Sequence, residues 1–122
     1  MKTFLLLFAA TLSLYGVEWR DYKSALKEQK VTGKPIMLDV VREGCHYCSN
    51  MEKNVFDDPE MSKWIEKRFI PVKIDQAKEK VPLGIKVYFN PSFFFIKNGK
   101  VVKKVPGSWN IQDFKDLTEK IK

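Results

Sequence analysis

Two cysteines and a single histidine are all the thiolate and imidazole ligands that this chain of 122 residues offers to a metal ion. A structural zinc site takes about four such ligands, usually as two pairs or with added histidines, so zinc has too few partners here. Covalent haem attachment needs C-x-x-C-H, and the residue after Cys48 is Ser49, which excludes it. There is no low-complexity tract and no internal repeat, so the chain reads as one packed domain. At this length a core can be buried without help from disulfides, so stability does not require the cysteines. No apolar run reaches the roughly 20 residues of a comfortable transmembrane helix. No nucleic-acid motif accompanies the basic residues.

What the sequence does hold begins at its N-terminus. Lys2 is followed by "FLLLFAATLSL", ending at Tyr15 and Gly16 before the polar "EWRDY". A short positive start, an apolar stretch and a small residue have the shape of a secretory signal peptide. We expect residues 1–16 to be a signal peptide, cut after Gly16, and residues 17–122 to be the mature domain. Export, to the periplasm in this reading, would place the cysteines where a disulfide can persist. The net charge of +7 would fall by one on cleavage, with Lys2. The remaining lysines are interleaved with acids for most of their length. They imply a solvated surface with a mild preference for acidic partners or anionic membrane.

Along the mature chain, Asp21 caps a short predicted helix that stops at Gly33. "PIMLDVV", closed by Arg42, Glu43 and Gly44, reads as a buried strand with an acid, Asp39, in its middle. A carboxylate there is costly unless it is paired or neutral. "CHYCSNMEKNVF" places Cys48, Met51, Val55 and Phe56 on one face of a helix whose first turn holds both cysteines. "DDPEMSKWIEKRF" restarts a helix at Asp57 or Asp58 with Pro59 in its first position. "IPVKID" is the next strand, and "QAKEKVPLGIKVYFN" is irregular or briefly helical. "SFFFIKNGKVVKKV" is a hairpin turning at Asn98-Gly99, and Asn110 caps a last amphipathic helix. The order is α, β, α, α, β, loop, β, β, α: an α/β chain.

The pair Cys45-x-x-Cys48 is open to three readings. As a structural disulfide it closes a very small loop and removes little unfolded-state entropy. As two soft thiolates it suits a copper(I) carrier, though without further Met or His ligands. As a redox dithiol it accounts for more of the pattern. A cysteine at a helix start faces unpaired N–H groups, which stabilise its thiolate. Cys45 would attack a substrate disulfide, and Cys48, one turn deeper, would release the product and close the ring. His46, if protonated, would favour the thiolate further, and is otherwise a polar spacer. Tyr47 would be a surface aromatic near the substrate.

Taken together, "KPIMLDVVREGCHYC", "MEKNVFDDPEMSKWIEKRFIPVKID" and "NPSFFFIKNGK" resemble the thioredoxin superfamily. More narrowly they resemble its small exported members and the periplasmic thioredoxin-like domain of membrane disulfide-interchange reductases. The resemblance covers most of the mature domain. It implies a thioredoxin fold with a central mixed sheet of about four strands flanked by helices. It implies a thiol:disulfide oxidoreductase acting on protein disulfides, with no cofactor or metal beyond a redox-active Cys45–Cys48 disulfide. A membrane thiol reductase would supply electrons to a monomeric domain, with the reductive direction favoured. Asp39, six positions before Cys45, matches the family's buried acid and would help take the proton from Cys48 through water. Pro91 matches its cis-proline, where preceding backbone pairs with substrate. Gly44 stands where a Trp commonly precedes the motif, and Asn90 where Ile, Thr or Val is usual. Gly44, His46, Tyr47, Asn90 and Pro91 are therefore the expected substrate-facing positions. Lys73 has suitable strand parity for the lysine that often accompanies the acid, but Pro71 competes for that position, so no lysine is assigned. The alternatives from other classes are the copper carrier and a non-catalytic interaction module.

Overall fold

The computed structural model of the chain describes residues 16–122, so the expected signal peptide lies, but for Gly16, outside the described residues. Helix α1 (Tyr22–Thr32) starts where the Asp21 carboxylate accepts the Ser24 amide at 2.8 Å, and stops at Gly33. Strand β1 (Ile36–Val41) follows, then α2 (His46–Met51), α3 (Pro59–Arg68), β2 (Ile70–Asp75), β3 (Ser92–Lys97), β4 (Lys100–Pro106) and α4 (Ile111–Thr118). Asp58, rather than Asp57, caps α3 by accepting the Met61 amide, with Pro59 in the first turn, and Asn110 caps α4 the same way. Each short polar side chain satisfies an amide that would otherwise lack a partner at a helix start.

The strands form one four-stranded sheet in the order β2-β1-β3-β4. β1 runs parallel to β2 and antiparallel to β3. β3 and β4 are joined through Asn98 and Gly99, both at positive φ, as a two-residue hairpin turn requires. Between Phe95 and Ile96 the pairing slips by one, leaving Val102 as an exposed bulge on the edge strand. Gln76–Asn90 stays irregular apart from a single 3-10 turn at Pro82–Gly84. This is the thioredoxin arrangement that the sequence implied.

The two faces of the sheet carry separate cores. Ile36, Leu38 and Val40 of β1 join Ile70, Val72, Ile74, Phe94 and Ile96 under Ala25 of α1, with Val81, Ile85 and Val87 of the irregular segment packed alongside. Met37 joins Phe93 and Phe95 on the opposite face, beneath Met51, Val55, Phe56, Met61, Ile65 and Phe114. Residues alternate strictly across a strand, so Asp39 shares the face of Met37, the one α2, α3 and α4 cover.

One element departs from expectation. The helix predicted over Cys45–Phe56 is α-helical only to Met51 and continues as a π turn, Glu52–Phe56. Its mark is the Asp57 amide, which donates to the carbonyl of Glu52, five residues back, at 2.8 Å. The wider turn lets Val55 and Phe56, adjacent in sequence, both enter the core. There Phe56 meets Trp19, Phe93 and Phe114 edge-on, with ring centroids 5.1, 5.9 and 6.1 Å away. Phe56→Ala should therefore cost about 3–5 kcal/mol, read as a lower denaturation midpoint of the oxidised protein. A loss under about 1 kcal/mol would show that the aromatic cluster does not hold the π turn in place.

Candidate active site

β1 ends at Val41, and four residues later the chain turns into α2. Gly44 makes that turn at φ 81°, a left-handed conformation that glycine adopts freely and other residues resist. A Cβ added there would meet nothing within 4 Å, so the restriction is conformational and the space beside the cysteines is open. Cys45 is then the N-cap of α2: its Sγ accepts the Cys48 amide at 3.2 Å, and its own amide donates to the Arg42 carbonyl at 3.0 Å. Cys45 and Cys48 are joined as a disulfide, their Cα atoms 5.3 Å apart and both side chains partly exposed.

The loop before β3 closes over this disulfide. The Asn90–Pro91 peptide bond is cis, and the Asn90 carbonyl oxygen lies 3.5 Å from Cys45 Sγ. The Asn90 side chain holds it there, donating to the Val40 carbonyl at 3.2 Å and to Gln76 Oε1 at 3.1 Å. Pro91 is tied from the other side, because its carbonyl accepts the Gly107 amide at 2.8 Å. A branched apolar residue at position 90 could make neither side-chain bond.

Gly44, Cys45 and Cys48 line a cleft of about 330 Å3 together with Glu52 and Lys73. Asp39 is 2% exposed and in register with Phe93 of β3 and with Lys73 of β2, one of the residues lining this cleft. One of its oxygens, Oδ1, is buried without a hydrogen-bond partner. Loss of hydration pushes the carboxyl up to about 8. Lys73 opposes that rise and Glu52 adds to it. Lys73 is engaged elsewhere: its Nζ meets Glu52 Oε2 at 2.6 Å and sits 4.3 Å from the centroid of the Trp19 ring. Asp39 is therefore mostly protonated at neutral pH, the neutral form that burial permits.

Tyr47 and His46 are exposed on the first turn of α2, their rings 6.1 Å apart. Tyr47 faces away from the cleft, into a groove shared with Asn50, Asn54 and Trp109. The structure thus brings Gly44, Cys45, Cys48, Asn90 and Pro91 together, sets Asp39 in the strand before them within the field of Lys73 and Glu52 of the same cleft, and leaves His46 and Tyr47 exposed beside it. Sequence reasoning missed Glu52 and left Lys73 unassigned. The signal for Glu52 was its position one helical turn past Cys48. For Lys73 it was strand parity, which the register Met37↔Pro71 and Asp39↔Lys73 now settles. Among the described residues no three His, Cys, Asp or Glu side chains gather as a metal site would need.

A sheet of this order, with a disulfide of C-x-x-C spacing capping the helix after its central strand, defines a thioredoxin-like protein and supports thiol oxidoreductase chemistry. The chain belongs to the thioredoxin-like domain family, whose model matches residues 22–122. It is 33% identical over 73 residues to spermatogenesis-associated protein 20 of Homo sapiens, a match covering 59% of this chain but 9% of that protein. The chain thus spans less than a tenth of the length of this curated relative. Among solved structures it resembles a Bacteroides thetaiotaomicron protein proposed to be a disulphide-isomerase, at 26% identity and a TM-score of 0.65, covering 88% of this chain and 91% of that one. It also shares the fold of the oxidised DsbD c-terminal domain of Neisseria meningitidis, at 19% identity and a TM-score of 0.61, covering 86% of this chain and all of that one.

The buried carboxyl makes stability depend on pH in a definite sense. Well below pH 4 aspartate is protonated folded or unfolded, and its ionisation adds no cost to folding. As pH rises toward 8 the unfolded chain ionises first, and the fold loses stability by up to about 1.4 kcal/mol per pH unit. Asp39→Asn should therefore stabilise the oxidised protein by an amount that grows from pH 4 to pH 8, seen in guanidinium titrations at each pH. A gain that does not vary with pH would mean that Asp39 is ionised in the fold. Glu52→Gln should lower the Asp39 titration midpoint, followed by carboxyl carbon NMR, because it removes a negative neighbour.

Proposed function

We propose that this protein is an exported, periplasmic thiol:disulfide oxidoreductase that works on protein disulfides in the reductive direction. The observation that carries the reading is the Cys45–Cys48 disulfide, partly exposed at the start of α2, with the Asn90 carbonyl beside it and a protonated Asp39 in the strand before it. In the reduced protein the Cys48 amide that now points at Cys45 Sγ would stabilise a Cys45 thiolate. That thiolate attacks one sulfur of a substrate disulfide, forming a mixed disulfide and expelling the other substrate sulfur as a thiolate, which takes a proton from water. Asp39 first loses its proton to water, which its pKa of about 8 allows in a minor fraction of molecules near neutral pH, and the carboxylate then takes the Cys48 proton through water, the two groups having similar proton affinity. The Cys48 thiolate then attacks Cys45 Sγ and expels the second substrate sulfur as a thiolate, which takes a proton from water. Two electrons pass from the dithiol to the substrate, and the protein disulfide is re-formed.

Backbone at Asn90 and Pro91 would pair with the substrate, as the sequence resemblance implies. Gly44 would leave the approach open on its side, with His46 and Tyr47 at the rim. Export rests on the N-terminal apolar run, and the reductive direction on Asp39 and the resemblance to reductase domains. That resemblance also implies electrons from a membrane thiol reductase, and a monomer is the simplest state for the domain.

Insulin reduction with dithiothreitol tests the reading. The wild type should accelerate it, Cys45→Ser should abolish the acceleration, and Cys48→Ser should accumulate a mixed disulfide that alkylation and mass spectrometry detect. Asp39→Asn should slow release of that intermediate about 10²-fold near neutral pH. Full turnover by Cys45→Ser would refute catalysis, and retention of one copper ion without turnover would favour a carrier. A reduction potential near the −120 mV or so of a strong oxidant would reverse the direction.

A further inference from the structure

Beside the disulfide the surface carries a feature that dithiol chemistry does not use. Tyr88 and Phe89, consecutive residues just before Asn90, are 80% and 68% exposed. Neighbouring large aromatics left in water mark a surface that something covers. Their backbone is held firmly: Ser92 Oγ donates to the Phe89 carbonyl at 2.6 Å, and the Asn90 amide group is anchored to Val40 and Gln76. With Phe94 and Val105 they line a cavity of about 180 Å3 at the edge of the sheet. Lys86 and Lys104 also line it, and neither has an acidic partner among the described residues. An apolar recess carrying two uncompensated ammonium groups is complementary to a bulky apolar side chain next to a carboxylate.

The position of the recess selects the kind of occupant. Phe89 is bonded to Asn90, whose carbonyl oxygen is 3.5 Å from Cys45 Sγ. The recess thus begins at the residue next to the one whose carbonyl faces Cys45, within reach of a polypeptide whose sulfur is bonded to Cys45. We propose that this recess is a specificity subsite for the polypeptide being reduced. It takes an aromatic or large aliphatic side chain flanked by Asp or Glu, close in sequence to the cysteine under attack. The inference rests on the oxidoreductase reading above and adds a preference among its substrates.

Two cystine peptides that differ only beside the cysteine, one with Phe and Asp and one with Ser and Lys, test it. The full chain is reduced, freed of reductant and mixed with each peptide at low salt. Acid quenching and alkylation then give the rate at which one protein dithiol becomes a disulfide as one peptide disulfide becomes two thiols. The Phe/Asp peptide should react at least about tenfold faster, and the ratio should shrink at high salt. Tyr88→Ser/Phe89→Ser and Lys104→Glu, all at exposed positions, should each bring the ratio within about threefold of unity. Equal rates in the wild type, or a ratio that survives both variants, would overturn the subsite. So would a dimer in sedimentation that Phe89→Ser dissolves, since a second copy would then be the occupant. Failure to reduce either peptide or hydroxyethyl disulfide is a different result: it removes the oxidoreductase reading itself.

Discussion

The hydrogen-bonded register of β1 with its two neighbours is the constraint on which the site depends. β1 is paired on both sides, parallel to β2 and antiparallel to β3, and buried on both faces. A slip of one residue would turn Asp39 into the α1 core and put Leu38 under α2. The same register sets Asp39 beside Lys73 and Val40 opposite Ser92, which carries the Asn90-Pro91 corner to Cys45. Cysteines, carboxyl and proline loop come from three separate stretches of sequence, and one strand aligns them.

Within that frame the electrostatics are a contest between solvation and a nearby cation, and solvation prevails. Lys73 is Asp39's partner in the strand ladder, yet its ammonium group is drawn to Glu52 and to the face of Trp19. With the cation shared three ways, its attraction does not offset the loss of water around Asp39, and the carboxyl stays high. Glu52 owes its place to the π turn, whose first residue it is, so helix geometry and proton affinity are coupled at one side chain.

Much of this was legible in the sequence, for local reasons. Asp21, the pair Asp57-Asp58 and Asn110 announced helix starts because capping is a short-range bond, and Asn98-Gly99 announced the hairpin because few residues accept positive φ in succession. β1, its acid and the cysteine helix followed from a compact apolar run and its boundaries. The π turn did not, because the apolar spacing of Met51, Val55 and Phe56 fits an α-helix nearly as well. The choice between Lys73 and Pro71 was closed to sequence because a parallel register is fixed by packing far along the chain. The two bonds of the Asn90 amide were hidden for the same reason: Val40 and Gln76 are 50 and 14 residues away.

The edge strand β4 has a consequence of its own. Lys100, Lys103 and Lys104 are exposed along it, and the bulge at Val102 breaks its regular ladder. Charge and irregularity discourage another strand from adding to a free sheet edge. On the oxidoreductase reading proposed above, the protein's clients would be chains with incorrect or incomplete cross-links, which carry exposed, sticky strands. With that edge blunted, such a client would dock and leave beside the cysteines without extending the sheet, and each encounter would stay brief instead of seeding aggregation.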